Sequence, residues 1–171
     1  MTGNVEIAVQ DTPEKFRDMA EELVPPLLEL LRRRNELERE ICARSIKLRE
    51  EKTAAGVSEH QTVPAEQELW EEYRRRYLEL VRPHCTEKLL KWGAAGSFGK
   101  PARYDYLFEN PEAKVVFTMK TAKRAVVRTV ARKSTDTCER FILRPSEEGW
   151  KVDGVDYSFG NNGDWHCDHH I

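Results

Sequence analysis

The sequence predicts an α+β fold, helices first and an antiparallel sheet second, and three observations carry that prediction. Apolar residues recur at helical spacing from Thr12 to about Trp92, and beyond Gly99 the period changes to two. The links between the later apolar runs are too short for parallel crossovers. A chain of 171 residues is the size of one domain with one sizeable core.

The helices follow in order. Thr12, Pro13 and Glu14 read as a helix start, with Phe16, Met19, Ala20 and Leu23 as its apolar stripe. Pro25 and Pro26 are expected to break or kink that helix. A second helix, from Leu27 to Lys52, carries Leu27, Leu30, Leu31, Leu37, Ile41 and Leu48 on one stripe. Its arginines at 32, 33 and 34 are followed at once by Glu36, Glu38 and Glu40, which marks a solvated face laced with ion pairs rather than a nucleic-acid footprint. Thr53 to Pro64 is a polar loop, so the helices on either side of it form a hairpin. Pro64 opens a third helix with Leu69, Tyr73, Tyr77 and Leu80 on its apolar face. It stops at Pro83, and a short helix follows with Thr86 as cap and Gly93 as exit.

Strands are expected over Arg103 to Glu109, Lys114 to Thr121, Arg124 to Lys133, Cys138 to Arg144, Gly149 to Phe159 and from Asp164 onward, with Asn162-Gly163 as a hairpin turn. Alternation such as Val115, Phe117, Met119 gives the meander one face to bury against the helices. The expected organisation is a helical arm over residues 1–63, set outside an α+β domain over 64–171 and suited to a partner surface or dimerisation.

Composition narrows the function classes. A net charge of -2 gives no overall basic field, so direct nucleic-acid binding is not expected. Cys42, Cys85, Cys138 and Cys167 are widely spaced with no CxxC pair, as in a protein with reduced thiols. No basic segment followed by an apolar run opens the chain and no stretch reaches membrane-span length, so a soluble cytoplasmic protein is expected. GxSxG, Walker and dinucleotide-binding phrases are absent, and no cofactor is expected.

The phrase "ERFILRPSEEGWKVDGVDY", after an aromatic-faced helix and a short helix ending in Trp92-Gly93, resembles the nuclear transport factor 2-like superfamily. Phe141, Ile142, Leu143, Gly149, Trp150, Lys151, Val152 and Asp153 carry the likeness, which covers roughly Pro64 to Ile171. It implies a curved sheet wrapped on helices as a cone. The wider string from Trp92 to Ala131, with the closing "GDWHCDHHI", looks most like bacterial immunity proteins of this fold. The resemblance therefore implies a protein that binds and neutralises a cognate secreted toxin domain. The alternative is a ligand-binding protein or an isomerase or dehydratase using the cone, for which Asp105, His84, Tyr104 and Tyr106 are the residues to inspect.

Charge separates two candidate toxin-binding surfaces. One is the acidic final hairpin, Glu147, Glu148, Asp153, Asp156, Asp164 and Asp168, with Tyr157, Trp165, His166 and His170 as its rim. The other is a basic patch of Arg124, Arg128, Arg132 and Arg140. A toxin gripping phosphate with a positive cleft calls for the first, an acidic cleft for the second, and the acidic hairpin is favoured. The tail HCDHH is not expected to be a metal site, because strand alternation sends His166, Asp168 and His170 one way and Cys167 and His169 the other.

Overall fold

A computed structural model of the chain describes residues 4–130, 136–160 and 163–171. The elements are β1 (Glu6–Val9), α1 (Glu14–Arg17), α2 (Met19–Ala54), α3 (Pro64–Val81), a 3-10 turn (Arg82–His84), α4 (Glu87–Leu90) and α5 (Asp105–Phe108), then β2 (Lys114–Thr121), β3 (Arg124–Thr129), β4 (Thr137–Ser146), β5 (Gly149–Phe159) and β6 (His166–Asp168). The strands form one open sheet in chain order. β2 to β6 are the expected antiparallel meander, and β1 adds to it in parallel with β2. No helix among the described residues is long and apolar enough to cross a membrane.

Each strand divides its residues between two faces. Val115, Phe117 and Met119 of β2, Ala125 and Val127 of β3, Phe141 and Leu143 of β4, and Val152 and Val155 of β5 are buried toward the helices. Irregularities at Met119/Thr121 and Ile142/Leu143 shift the register and bend the strands they interrupt. At the first of these, the Thr12 hydroxyl accepts the Met119 N–H at 3.0 Å and ties the chain before α1 to the sheet.

Three expectations are corrected. Pro25 and Pro26 lie inside α2, which continues through them. They remove the N–H partners of the Glu21 and Glu22 carbonyls, both on exposed residues, while Leu23, Val24, Leu27 and Leu28 are buried on both sides of the prolines and hold the helix to the core. α2 is also not an arm outside the sheet-bearing unit: Leu23, Leu27, Leu31 and Ile41 belong to the same apolar core as Tyr73, Phe117 and Phe141. The expected strand over Arg103 to Glu109 is the helical turn α5. Leu107 within it and Tyr104 just before it are buried, a spacing of three, and Asn35 of α2 accepts the Tyr104 N–H at 2.8 Å. The expected hairpin of α2 and α3 is present, closed by Lys52 of α2 on Glu66 of α3 at 3.2 Å. β3 ends at Thr129, and Arg132 and Asn162 fall outside the described residues.

Candidate functional site: a basic groove on the outer face of the sheet

Arginine and carboxylate side chains occupy both faces of the sheet, in different ways. On the helix side, Arg34 is 3% and Glu38 5% exposed, and they pair directly across one turn of α2. Glu38 also accepts the backbone N–H groups of Gly99 and Arg103, both at 3.0 Å. The Arg34 Nε and the Tyr77 hydroxyl donate to the Ile171 carbonyl at 2.9 and 3.1 Å. Arg103 reaches Asp168 at 2.8 Å and the fully buried Glu139 at 3.5 Å. Burial alone would raise the Asp168 carboxyl, but the charge of Arg103 and the His169 N–H outweigh it and hold it below the usual carboxylate range. The network joins α2, the loop before α5, β4 and the end of the chain.

The opposite face carries a groove of about 510 Å³. β2 contributes Thr118 and Lys120, β3 contributes Arg124, Val126 and Arg128, β4 contributes Cys138 and Arg140, and Ser158 and Trp165 close the far wall. Period-two alternation builds it, since Ala125, Val127 and Thr129 go to the core and leave Arg124, Val126 and Arg128 outside. The Arg140 guanidinium lies 4.5 Å from the Trp165 ring centre and donates to Asp156 at 2.7 Å. Among the described residues, Lys120, Arg124 and Arg128 make no ion pair.

The structure thus unites part of each predicted surface. Arg124, Arg128 and Arg140 share the groove with Trp165. The acids of the final hairpin do not form one free acidic face. Glu148 holds Lys151 at 2.5 Å, and Glu147 is exposed in the β4–β5 turn beside it. Asp153 accepts from the Thr86 hydroxyl at 2.9 Å, Arg144 at 3.0 Å and Lys88 at 3.4 Å. Burial pushes its carboxyl up, yet these partners carry it below the usual range. Asp156 is taken by Arg140, Asp168 by Arg103, and Asp164 is exposed ahead of β6.

The aromatic residues of the tail scatter. Tyr157 packs on Phe159 and His166, with ring centres 5.4 Å apart in both pairs. His169 stacks on Trp92 at 3.8 Å, and the His170 Nε2 sits 3.3 Å from the Trp92 carbonyl. No group of three His, Cys, Asp or Glu side chains able to hold a metal occurs among the described residues.

The residues considered for proton transfer are likewise apart. Asp105 borders a pocket with Arg39, Cys42 and Ile46, whereas His84 borders another with Glu22, Leu27 and Trp150. Burial would raise Asp105, but hydrogen bonds from Asn35, Arg39 and the Ala102 N–H leave its carboxyl lowered, opposite to the shift a general base needs near neutral pH. All four cysteines are free thiols, and burial pushes the Cys85 thiol up to about 12. Sequence reasoning missed Lys120, Thr118 and Ser158, whose signal is alternation on neighbouring strands and needs the register to be read. Comparisons of the chain with family models, curated proteins and solved structures find no match.

Proposed function

We propose that this chain is an immunity-type binding protein that acts in the cytoplasm and occupies an acidic surface of a cognate toxin domain with the groove of Lys120, Arg124, Arg128, Arg140 and Trp165. The observation that carries the choice of surface is the difference in pairing. Glu148, Asp153, Asp156 and Asp168 already have cationic partners within the chain, and Lys120, Arg124 and Arg128 have none among the described residues. Unpaired bases beside a half-buried tryptophan are the surface chemistry of a charged protein interface, in which charge sets the association rate and the aromatic anchors the complex. Arg124 and Arg128 flank Val126 on β3 and are half-buried, while Arg140 is already held by Asp156 and Trp165, so part of the groove is ordered before binding.

The finer fold assignment belongs to the same reading. A nuclear transport factor 2-like cone needs a sheet bent around its helices, and the two register shifts in β2 and β4–β5 supply bends of that kind. Its interior is filled by Tyr73, Tyr104, Phe117 and Phe141, each essentially without exposure, which favours a binding protein over an enzyme working inside the cone.

The test begins with the protein encoded beside this chain's own gene. That protein should be toxic alone and harmless with this chain present, and the purified pair should associate more slowly as salt rises. Arg124→Glu combined with Arg128→Glu should abolish protection while melting as the wild type does. Association of that double variant at the wild-type rate across a salt series would move the interface elsewhere. Tight binding of single-stranded nucleic acid lost on Trp165→Ala would replace the protein partner altogether.

A further inference from the structure

β1 closes the sheet on one side, and among the described residues no strand pairs with its outer edge. The Glu6 N–H donates to the Ala113 carbonyl at 3.2 Å and the Gln10 N–H to the Phe117 carbonyl at 3.0 Å. Residues 6 and 10 therefore face β2, and by alternation the backbone N–H and C=O groups of Ile7 and Val9 point to the free edge. The side chains of these two residues are 36% and 40% exposed, on the side of the sheet to which their register partners Val115 and Phe117 point. Free edges of natural sheets are commonly protected by lysine, proline or a bulge, and β1 has none of these. Its one charge is Glu6.

We infer that this edge pairs with the β1 of a second copy of the chain, antiparallel, about a two-fold axis through Ala8. The register follows from the backbone. Centring on Ala8 sets Ile7 against Val9 of the second copy and Val9 against its Ile7, so the outward-pointing groups exchange four hydrogen bonds, all within the strand. Displacing the centre to Ile7 demands pairing by Val5, outside the strand, and displacing it to Val9 brings in Asp11, whose φ of 47° ends the extended chain. The charges agree as well. With Ala8 at the axis, Glu6 faces the neutral Gln10 of the second copy, and no like charges meet. The four side chains of Ile7 and Val9 then form one apolar strip. The contact is isologous and doubles the sheet without opening a path to further growth.

Sedimentation velocity on the full chain over a concentration series should show a species of twice 19.9 kDa. Ile7→Pro removes an edge donor that β2 does not use, and should leave a folded monomer whose melting temperature, unlike that of the wild type, does not rise with protein concentration. Ala8→Cys in a Cys167→Ser background offers a second measurement, independent of how Ile7→Pro folds. Residues opposite one another without hydrogen bonds have Cα atoms about 4.5 Å apart, within the disulfide range of about 4.4–6.8 Å, so this variant should oxidise to a covalent dimer while Gln10→Cys in the same background stays monomeric. A wild-type chain of monomer mass throughout the series, or equal cross-linking from positions 8 and 10, overturns the inference.

Discussion

The two faces of the sheet use the same chemistry for opposite ends. Behind it, Arg34 and Arg103 are enclosed with Glu38, Glu139, Asp168 and the end of the chain. In front of it, Arg124 and Arg128 line a groove with Thr118, Val126 and Ser158 and make no ion pair among the described residues. Enclosed charge is tolerable only when every partner is in place, so removing one member is expensive to the fold. Exposed unpaired charge asks nothing of the fold, so it is free to serve an interaction. The location of an interaction surface is marked less by where charges cluster than by where they lack partners.

The comparison breaks most sharply at Glu38. Glu38→Ala leaves Arg34 buried at 3% exposure and strips the Gly99 and Arg103 N–H groups of their acceptor. The expected loss is about 3–5 kcal/mol of unfolding free energy, measured by urea denaturation at neutral pH. Glu38→Gln, which keeps an acceptor for the two amides, should lose less. Equal stability of Glu38→Ala and wild type would mean that the inner network is not what holds α2 to the rest of the chain.

An intermediate effect is expected at Asp168, and it carries a pH signature. Its carboxyl lies below the usual range in the folded chain, through Arg103 and despite burial. The unfolded value is about 3.9, so the folded state binds the proton less readily. The stabilisation is complete above that value and fades as pH falls through the lower, folded value. Asp168→Asn should cost about 1–2 kcal/mol at pH 7, and its stability should fall less steeply than that of the wild type under acid. Parallel acid limbs for the two proteins would assign the proton uptake to other carboxyls lowered in the same direction, Glu72, Asp105 and Asp153 among them.

The meander was legible because period two, short links and Gly149 in a turn at φ 106° all agree locally. Gly93 is similarly where the sequence put it, at φ 73° after α4. Local signals failed where long-range contacts decide. The alternation of Tyr104 and Tyr106 fits a strand, but Asn35 and Arg39, some seventy positions earlier, hold Asp105 in a helical turn. β1 offers only EIAV, too short to be told from a loop, and its partner lies beyond a hundred residues of chain. At the candidate site the alternating Arg124 and Arg128 were visible, whereas the pairing of Arg140 with Asp156 depends on the β4–β5 register. The acidic hairpin read as a single charged surface because sequence does not show that Asp156 and Asp153 meet Arg140 and Arg144 between β4 and β5, or that Asp168 meets Arg103 from the loop before α5.

The smallest effect is expected in front of the sheet, and its sign is the informative part. Arg124 and Arg128 lie four residues apart on one face of β3, a separation of about 13 Å along the strand, and Lys120 belongs to the same groove. The screening length at physiological ionic strength is about 8 Å, so their mutual repulsion is weak but not zero. Arg124→Gln combined with Arg128→Gln should therefore alter stability by no more than about 0.5 kcal/mol, toward greater stability, and the gain should vanish in high salt. The enclosed pair behind the sheet is shielded from added ions, so Glu38→Ala should remain destabilised to the same extent across the same salt series. A clear loss of stability in the double variant would show that these arginines have partners that support the fold, and would remove the reason for placing the binding surface there.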